Sequence, residues 1–331
     1  LLRGSQLTDR LIPPGSQGYL EERSTRYPFK VVTRVSVGEY RAHIWDYSKV
    51  GIIVYPLLSL LFGVGIFWLT GRSTSPTQEL KRALDQQEFI PYLQPVVTGD
   101  DAHWSGCEVL MRWQHPRQGM ISPDRFIPLA EDSGLIVPMT RLLMAQVREA
   151  FAPLADKLPR GFHFGFNISA SHCKDLSLLD DCRDFIGAFR GNPIKLVLEL
   201  TERELIVADE TTDRLFAELH QLGVFIAIDD FGTGHSSLTY LQTFQVDFLK
   251  IDQSFVGMIG SDALSSHIVE NVIDLATRLG LLLVAEGVET QVQADYLKAR
   301  KVDFQQGYLY GRPMPMTVFA SQLPAQKGSS A

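Results

Sequence analysis

The amino-acid sequence predicts an α/β fold, a TIM-like (β/α)8 barrel preceded by one transmembrane helix. From about residue 77 to 323, short apolar runs alternate with helical stretches, and such alternation over about 250 residues is typical of this barrel. Nearly all of the apolar runs end in an acidic, amide or lysine residue, at the strand ends where barrels build their active sites. An uncharged stretch from Val50 to Thr70 is long enough to cross a bilayer.

The individual elements follow from apolar runs of strand length and from helical patterns between them. Eight strands are predicted near residues 91–96, 107–112, 163–167, 195–199, 225–229, 247–250, 282–286 and 303–305. Helices are predicted over Pro138–Leu154, Glu210–Leu222, Ala263–Leu279 and Thr290–Ala299. An open doubly wound sheet is the alternative fold, but no glycine-rich phosphate loop follows the first strand to favour it.

The chain divides into five predicted segments. Residues 1–49 hold one strand-like stretch, Phe29–Tyr40, and are too short for a complete domain, so we expect the C-terminal remnant of a longer one. Residues 50–70 form the transmembrane helix, with Tyr55 and Trp68 near its ends as interfacial aromatics. Residues 71–78 are a linker in which Ser75 is expected to cap a helix starting at Pro76. The barrel domain covers 79–323, and 324–331 form a flexible tail.

Composition limits the partners. The chain of 331 residues has a formal net charge of −7, which argues against a general nucleic-acid-binding protein and leaves DNA and RNA out of the expected partners. A small nucleotide remains compatible with that charge, because metal ions carry positive charge locally. The three cysteines have no paired spacing, so we expect free thiols in a reducing cytosol.

The polar strand ends carry the expected chemistry. Several carboxylates and a carboxamide converging on one barrel mouth would repel one another unless cations lay among them, which indicates a divalent-metal site. Every candidate ligand is an oxygen donor, and no Cys/His cluster indicates zinc. The strand-end residues are Glu108, Asn167, Glu199, Asp229, Asp230, Lys250 and Glu286.

The pattern resembles the EAL domain family over about residues 78–322. The motifs that carry the resemblance are Gln94-Pro95, Glu108-Val109-Leu110 with Arg112-Trp113, Phe166-Asn167-Ile168-Ser169, Glu199-Leu200-Thr201-Glu202, Asp229-Asp230-Phe231-Gly232-Thr233-Gly234, Lys250-Ile251-Asp252, Glu286-Gly287-Val288-Glu289 and Gln306-Gly307-Tyr308. The resemblance implies a barrel whose first strand is antiparallel to the others. It also implies hydrolysis of cyclic di-GMP to linear pGpG with two Mg²⁺ or Mn²⁺ ions.

The resemblance also implies roles for single residues. A first metal is expected on Glu108, Asn167, Glu199 and Asp229, and Asp229 would bridge to a second metal with Asp230 alongside. Because adjacent strand residues face opposite ways, Asp230 is expected where the strand has already turned into its loop. The remaining roles are catalytic for Lys250, Glu286 and Gln306, substrate-binding for Arg112 (phosphate) and Gln94 (guanine edge or ribose), and loop-stabilising for Glu202 and Glu289. For Glu202, a plain first-turn carboxylate is the alternative.

Two positions depart from the family pattern. Val109 replaces alanine in the signature, and its side chain should point away from the face of Glu108, so we expect activity to survive. His235 replaces the usual tyrosine in the loop after Asp230. A neutral substitution and a pH switch are both open for His235.

The sequence favours a membrane-anchored phosphodiesterase. The alternative is a catalytically silent EAL domain that acts as a cyclic di-GMP receptor, but the metal and catalytic residues expected in an active member are all present. A scaffold or transport protein would rest on the one predicted span alone. Residues 1–49 resemble the end of a CSS-motif periplasmic sensor, although they contain no cysteine. The resemblance to EAL domains implies a bacterial protein and a homodimer. Because cyclic di-GMP is cytosolic, the barrel is expected in the cytoplasm, the span in the inner membrane and residues 1–49 in the periplasm.

Overall fold

The computed structural model describes residues 18–35, 37–70, 75–201, 209–231, 245–260 and 263–323. The chain separates into two compact units, Leu1–Thr74 and Ser75–Ala331. Glu202 and His235 lie outside the described residues, as do the tail 324–331 and most of the loop after Asp230.

The first unit contains a hairpin and a long helix. Strands β1 (Gly18–Arg23) and β2 (Lys30–Val35) pair antiparallel in continuous register. Helix α1 (Val37–Thr70) follows, so the predicted strand Phe29–Tyr40 is wrong beyond Val35. A helix propagates more readily than it nucleates, so the turns before Val50 extend the apolar helix instead of continuing the strand.

Helix α1 begins well before the predicted start at Val50 and has 34 residues. Within its segment Arg41–Phe67, an 18-residue window has a mean hydropathy of 2.3, and none of that window is buried within the structure. By length and composition this helix is able to cross a membrane. Pro56 lies inside it, a residue that membrane helices tolerate.

The second unit contains a ten-stranded sheet among the described residues. Its strands are β3 (Phe89–Thr98), β4 (Trp104–His115), β5 (Gly119–Ile121), β6 (His163–Ile168), β7 (Lys195–Thr201), β8 (Phe225–Phe231), β9 (Phe248–Ile251), β10 (Leu282–Ala285), β11 (Phe304–Gln306) and β12 (Met314–Pro315). Strand β3 pairs antiparallel with both β4 and β11. Strand β4 pairs parallel with β6, and each strand from β6 to β10 pairs parallel with the next one in the chain. The eight-stranded barrel and its antiparallel first strand are therefore confirmed. Strands β5 and β12 extend the sheet beside β4 and β3.

Helices cover the outside of the barrel. They are α2 (Pro76–Asp85), α3 (Ile127–Asp132), α4 (Ile136–Phe151), α5 (Ser177–Gly187), α6 (Glu210–Leu222), α7 (Gln253–Val256), α8 (Ala263–Leu279), α9 (Gln291–Ala299) and α10 (Met316–Gln322). The predicted bounds of α6 and α8 are confirmed. Thr290 is the N-cap of α9 and accepts a hydrogen bond from the backbone of Gln293. Ser75 precedes α2, which starts at Pro76 as predicted, but the expected cap is wrong because the Ser75 side chain makes no capping hydrogen bond.

The end of the barrel opposite the strand carboxyl termini is closed by apolar and aromatic side chains. Val197, Ala227, Phe248 and Val284 form a buried cluster inside the barrel. The His163 ring contacts Phe248 edge-on, with ring centroids 6.0 Å apart. This packing leaves the carboxyl ends of the strands as the open mouth of the barrel.

Two aspartates at that closed end bind neighbouring strands. The Asp247 carboxylate, just before β9, accepts a hydrogen bond from the backbone N–H of Ile226 in β8 at 2.8 Å. Asp303, just before β11, accepts one from the N–H of Leu283 in β10 at 2.8 Å. Each carboxylate thereby replaces a ladder bond at a strand start, where the backbone donor would otherwise lack a partner.

Candidate active site

A bulge in β8 brings two consecutive carboxylates to the mouth. Asp230 has a φ of +55°, in the left-handed region, and the pairing with β9 shifts register between Ile228 and Phe231. Aspartate tolerates this conformation better than most residues with a Cβ. The prediction that Asp230 lies beyond the strand is wrong, because the extra residue is accommodated within β8. The side-chain oxygens of Asp229 and Asp230 consequently share one cluster with Glu286.

Lys250 lies at the centre of the acidic residues. Its Nζ is 2.5 Å from Glu199 Oε2, 2.6 Å from Glu286 Oε1, 3.2 Å from Asp229 Oδ1 and 3.9 Å from Glu108 Oε2. The lysine side chain is only 3% exposed, so these contacts are shielded from solvent. One ammonium therefore compensates part of the charge of four surrounding carboxylates.

Three side-chain amides complete the cluster. Asn167 Nδ2 donates to Glu108 Oε1 at 2.8 Å, and Gln306 Nε2 donates to Glu108 Oε2 at 2.7 Å. Gln306 Nε2 also donates to Gln94 Oε1 at 3.2 Å. Both oxygens of Glu108 are thus held in place by donors from β6 and β11.

Burial and mutual repulsion set the protonation of the carboxyls. Burial raises the pKa of Glu199 to about 8 and the pKa of Asp230 to about 6; the charge of Lys250 opposes this rise, and the charges of neighbouring carboxylates add to it. The same causes raise the pKa of Glu286 well above its ordinary value. Burial alone would raise the pKa of Glu108, but Lys250 and the two amide donors lower it. The cluster holds more negative charge than Lys250 can balance.

Lys250 itself stays charged. Burial acts to lower the pKa of Lys250, but Asp229, Glu108, Glu199 and Glu286 outweigh it and raise the pKa well above its ordinary value. The lysine is therefore a fixed cation near neutral pH.

The acidic residues form two overlapping sets suited to cations. Glu108, Glu199 and Asp229 form one set, and Asp229, Asp230 and Glu286 form the other, with ligand atoms within 4.8 Å of one another in each. Asp229 belongs to both. All donors are oxygens, which hard divalent ions such as Mg²⁺ prefer. The excess of negative charge and the shared aspartate fit a pair of such ions.

A cavity of about 260 Å³ opens above this cluster. Predicted residues among those that line it are Gln94, Glu108, Asp229, Glu286, Glu289 and Gln306. Gln253 also lines it and was not named by the sequence analysis, and Gly287 and Tyr308 line it although the sequence analysis named them only as motif members. Each follows closely after a predicted residue in the chain, and this proximity is the signal that could have revealed them. Gly287 has a φ of +66°, and a Cβ there would lie 2.4 Å from the Cβ of Gln253, so only glycine fits.

The other predicted residues have separate positions. Arg112 lies four residues beyond Glu108 on β4, half-buried, with its guanidinium carbon 5.7 Å from the Tyr92 ring centroid and Nη1 donating to Met111 O. Burial lowers the pKa of Arg112. Among the described residues it has no ion pair with a carboxylate, so its charge is available to an anion. Because Glu202 and most of the loop after Asp230 lie outside the described residues, the loop-stabilising role predicted for Glu202 and Glu289 stays a prediction.

On strand β4, the two residues next to Glu108 lie on the opposite face of the strand. Val109 is buried in the hydrophobic core, which fits the predicted orientation away from the site. Cys107 is also buried, and burial followed by the charge of Glu108 raises the pKa of its thiol well above the ordinary value. The thiol therefore stays protonated and gives no nucleophile.

Comparison with known proteins matches the EAL domain to residues 77–313. The chain is 47% identical over 251 residues to cyclic di-GMP phosphodiesterase PdeL of Escherichia coli strain K12, covering 76% of this chain and 69% of PdeL. It is 42% identical over 328 residues to probable cyclic di-GMP phosphodiesterase PdeD of the same strain, covering 98% of this chain and 59% of PdeD.

A solved structure of PaMucR phosphodiesterase in complex with c-di-GMP shares the fold. It aligns with a TM-score of 0.66 and 32% identity, covering 74% of this chain and 100% of that one. The chain spans 54% of the length of another curated relative, probable cyclic di-GMP phosphodiesterase PdeG of E. coli strain K12. The match over residues 77–313 includes all eight barrel strands. The chain belongs to the EAL domain family.

Proposed function

We propose that this chain hydrolyses one phosphodiester of cyclic di-GMP to give linear pGpG, in a reaction that depends on Mg²⁺ or Mn²⁺. The observation that carries the proposal is the buried Lys250 amino group among four carboxylates, each of which belongs to one or both of two overlapping acidic sets that could hold metal ions. Relatives that are 47% and 42% identical are named as cyclic di-GMP phosphodiesterases, PdeD with the qualifier probable.

The two acidic sets are the proposed metal sites. Glu108, Asn167, Glu199 and Asp229 would hold the first ion, while Asp229, Asp230 and Glu286 would hold the second. Two divalent ions so bound supply charge neutralisation at a phosphate and make water nucleophilic near neutral pH. Either Mg²⁺ or Mn²⁺ suits the oxygen donors.

The chain's own side chains would position the reactants. Lys250 remains charged, so we assign it an electrostatic and water-orienting role instead of proton abstraction. Glu286, held 2.6 Å from the lysine, is the residue proposed to orient the attacking water together with it. Arg112 is the proposed phosphate clamp, because its planar guanidinium suits two phosphate oxygens.

The test is hydrolysis of cyclic di-GMP by the full chain in detergent micelles, with Mg²⁺ or Mn²⁺ and chromatographic separation of products. The proposal expects pGpG from the unaltered chain, none without a divalent ion, and none from Glu108→Ala. Glu149→Ala removes an exposed glutamate outside the cluster and should leave the rate unchanged. Binding of cyclic di-GMP with no product under either ion would instead assign the chain as a receptor.

We further propose that α1 anchors the protein in the bacterial inner membrane. The length and hydropathy of Arg41–Phe67 support this, and the similarity to PdeD extends over 98% of the chain. Cyclic di-GMP is a cytosolic ligand in this proposal, so the barrel would lie in the cytoplasm. Residues 1–49 would then belong to a periplasmic sensor, and 50–70, 71–78, 79–323 and 324–331 would be span, linker, barrel domain and tail. A homodimer is the proposed assembly.

A further inference from the structure

We propose that Gln94 is a positioning residue that fixes which atom of the Gln306 carboxamide is free for the reactants. The inference rests on the proposed function, since it assigns a role within the same site. Gln94 lies on the antiparallel strand β3, directly across from Glu108 on β4, and is 8% exposed.

Two groups that only accept hydrogen bonds determine the orientation of both amides. The Gly311 carbonyl accepts from Gln94 Nε2 at 3.3 Å, so Gln94 must direct its NH₂ there and its oxygen the other way. Glu108 Oε2 accepts from Gln306 Nε2 at 2.7 Å, so Gln306 directs its NH₂ toward this carboxylate. The oxygen of Gln94 then meets the second N–H of Gln306.

These hydrogen bonds use both N–H groups of Gln306 and involve no donor to its side-chain oxygen. Gln306 Oε1 is buried and has no hydrogen-bond partner among the described residues. A buried acceptor without a donor is costly, so the oxygen is suited to a donor that arrives with water or substrate. If Gln94 did not accept the second N–H, Gln306 would be held by Glu108 alone and could rotate about that bond.

The backbone supports the arrangement. A Cβ on Gly311 would lie 2.8 Å from Pro95 Cγ, so the close approach that brings the Gly311 carbonyl to Gln94 depends on glycine. Gln94 and Pro95 are adjacent, so one short stretch of β3 provides both the amide and the surface against which Gly311 packs.

The test compares Gln94→Met with Gln305→Met in the full chain in detergent micelles. Gln305 is a matched control, because it is a buried glutamine next to Gln306 whose amide donates to Ala294 O, outside the site. We measure kcat and KM for cyclic di-GMP, the Kd for Mn²⁺ by calorimetry without nucleotide, and thermal unfolding. Gln94→Asn, which retains an amide too short to reach both partners, serves if the methionine variant does not fold.

Positioning predicts that Gln94→Met lowers kcat about tenfold, leaves KM within about twofold, and raises the Kd for Mn²⁺ about tenfold, because Gln306 also holds the Glu108 carboxylate. Gln305→Met should change none of the three. A raised KM with an unchanged Kd for Mn²⁺ would show that Gln94 only contacts guanine or ribose and would overturn the inference, as would no effect at all. Absence of hydrolysis by the unaltered chain would instead refute the proposed function.

Discussion

Lys250 is the residue whose removal best separates catalysis from ligand binding. We expect Lys250→Ala to lower the hydrolysis rate about 10²- to 10⁴-fold, because a fixed cation that orients water is lost. Affinity for cyclic di-GMP, measured by calorimetry with Mg²⁺, should change only a few-fold. Lys157→Ala, at an exposed position, is the control. A variant that retained full turnover would remove Lys250 from the mechanism.

His163 makes a residue-level prediction about acid stability. Burial, followed by the charge of Lys195, lowers the pKa of His163 from 6.5 to about 4. Below pH 6.5 the unfolded chain binds a proton that the folded barrel excludes, so stability is retained at neutral pH and lost as pH falls from 6.5 toward 4. This costs about 2 kcal/mol between pH 7 and pH 5. Thermal unfolding of His163→Leu should therefore lose less stability over that interval than the unaltered chain.

The apolar runs in the sequence determined which site residues could be predicted. Glu108, Glu199 and Lys250 follow from single apolar runs, and the structure brings their side chains together. The conformation of Asp230 did not follow, because a bulge is a property of the pairing between β8 and β9. Gln94 and Gln306 lie 212 residues apart in sequence, so the contact between their amides depends on closure of the barrel.

At the level of elements, the Asp247 contact predicts how much one strand start contributes to stability. Removing its carboxylate leaves the Ile226 N–H without its protein partner and also removes the 3.3 Å contact with His220 Nε2. We expect Asp247→Ala to lower the free energy of unfolding by about 1–2 kcal/mol, or the Tm by about 2–8 °C. Asp247→Asn keeps an acceptor oxygen and should lose less. Equal losses from both variants in thermal unfolding would argue against the hydrogen bond as the cause.

Element prediction succeeded where a segment's own pattern decides its structure. The bounds of α6 and α8 came from the sequence, since their apolar spacing and ends are local. Strand β1 and the short strands β5 and β12 were missed because their existence depends on a partner strand. Helix α1 was predicted too short, since the charged turns before Val50 lack the apolar signal that located the rest.

At the level of the whole molecule, α1 predicts membrane retention. The chain expressed in bacteria should sediment with membranes and resist washing with alkaline carbonate. Replacing both Leu60 and Leu61 with aspartate should release it, because each charge near the bilayer centre costs about 2.5–3.5 kcal/mol. Isoleucine at the same two positions is the control. Extraction of the unaltered chain by carbonate would contradict the proposed anchor.

The reversed direction of β3 decides where the polypeptide enters the barrel. In a barrel with all strands parallel, the first strand begins at the closed floor and the chain crosses the whole barrel before it reaches the mouth. Here Phe89 pairs with Trp113 near the carboxyl end of β4, and Thr98 pairs with Phe304 at the floor. The polypeptide arriving from α2 thus meets the acidic mouth first. Only residues 86–93 separate α2 from Gln94, so a displacement of that helix would reach the reactive centre along one short stretch of backbone.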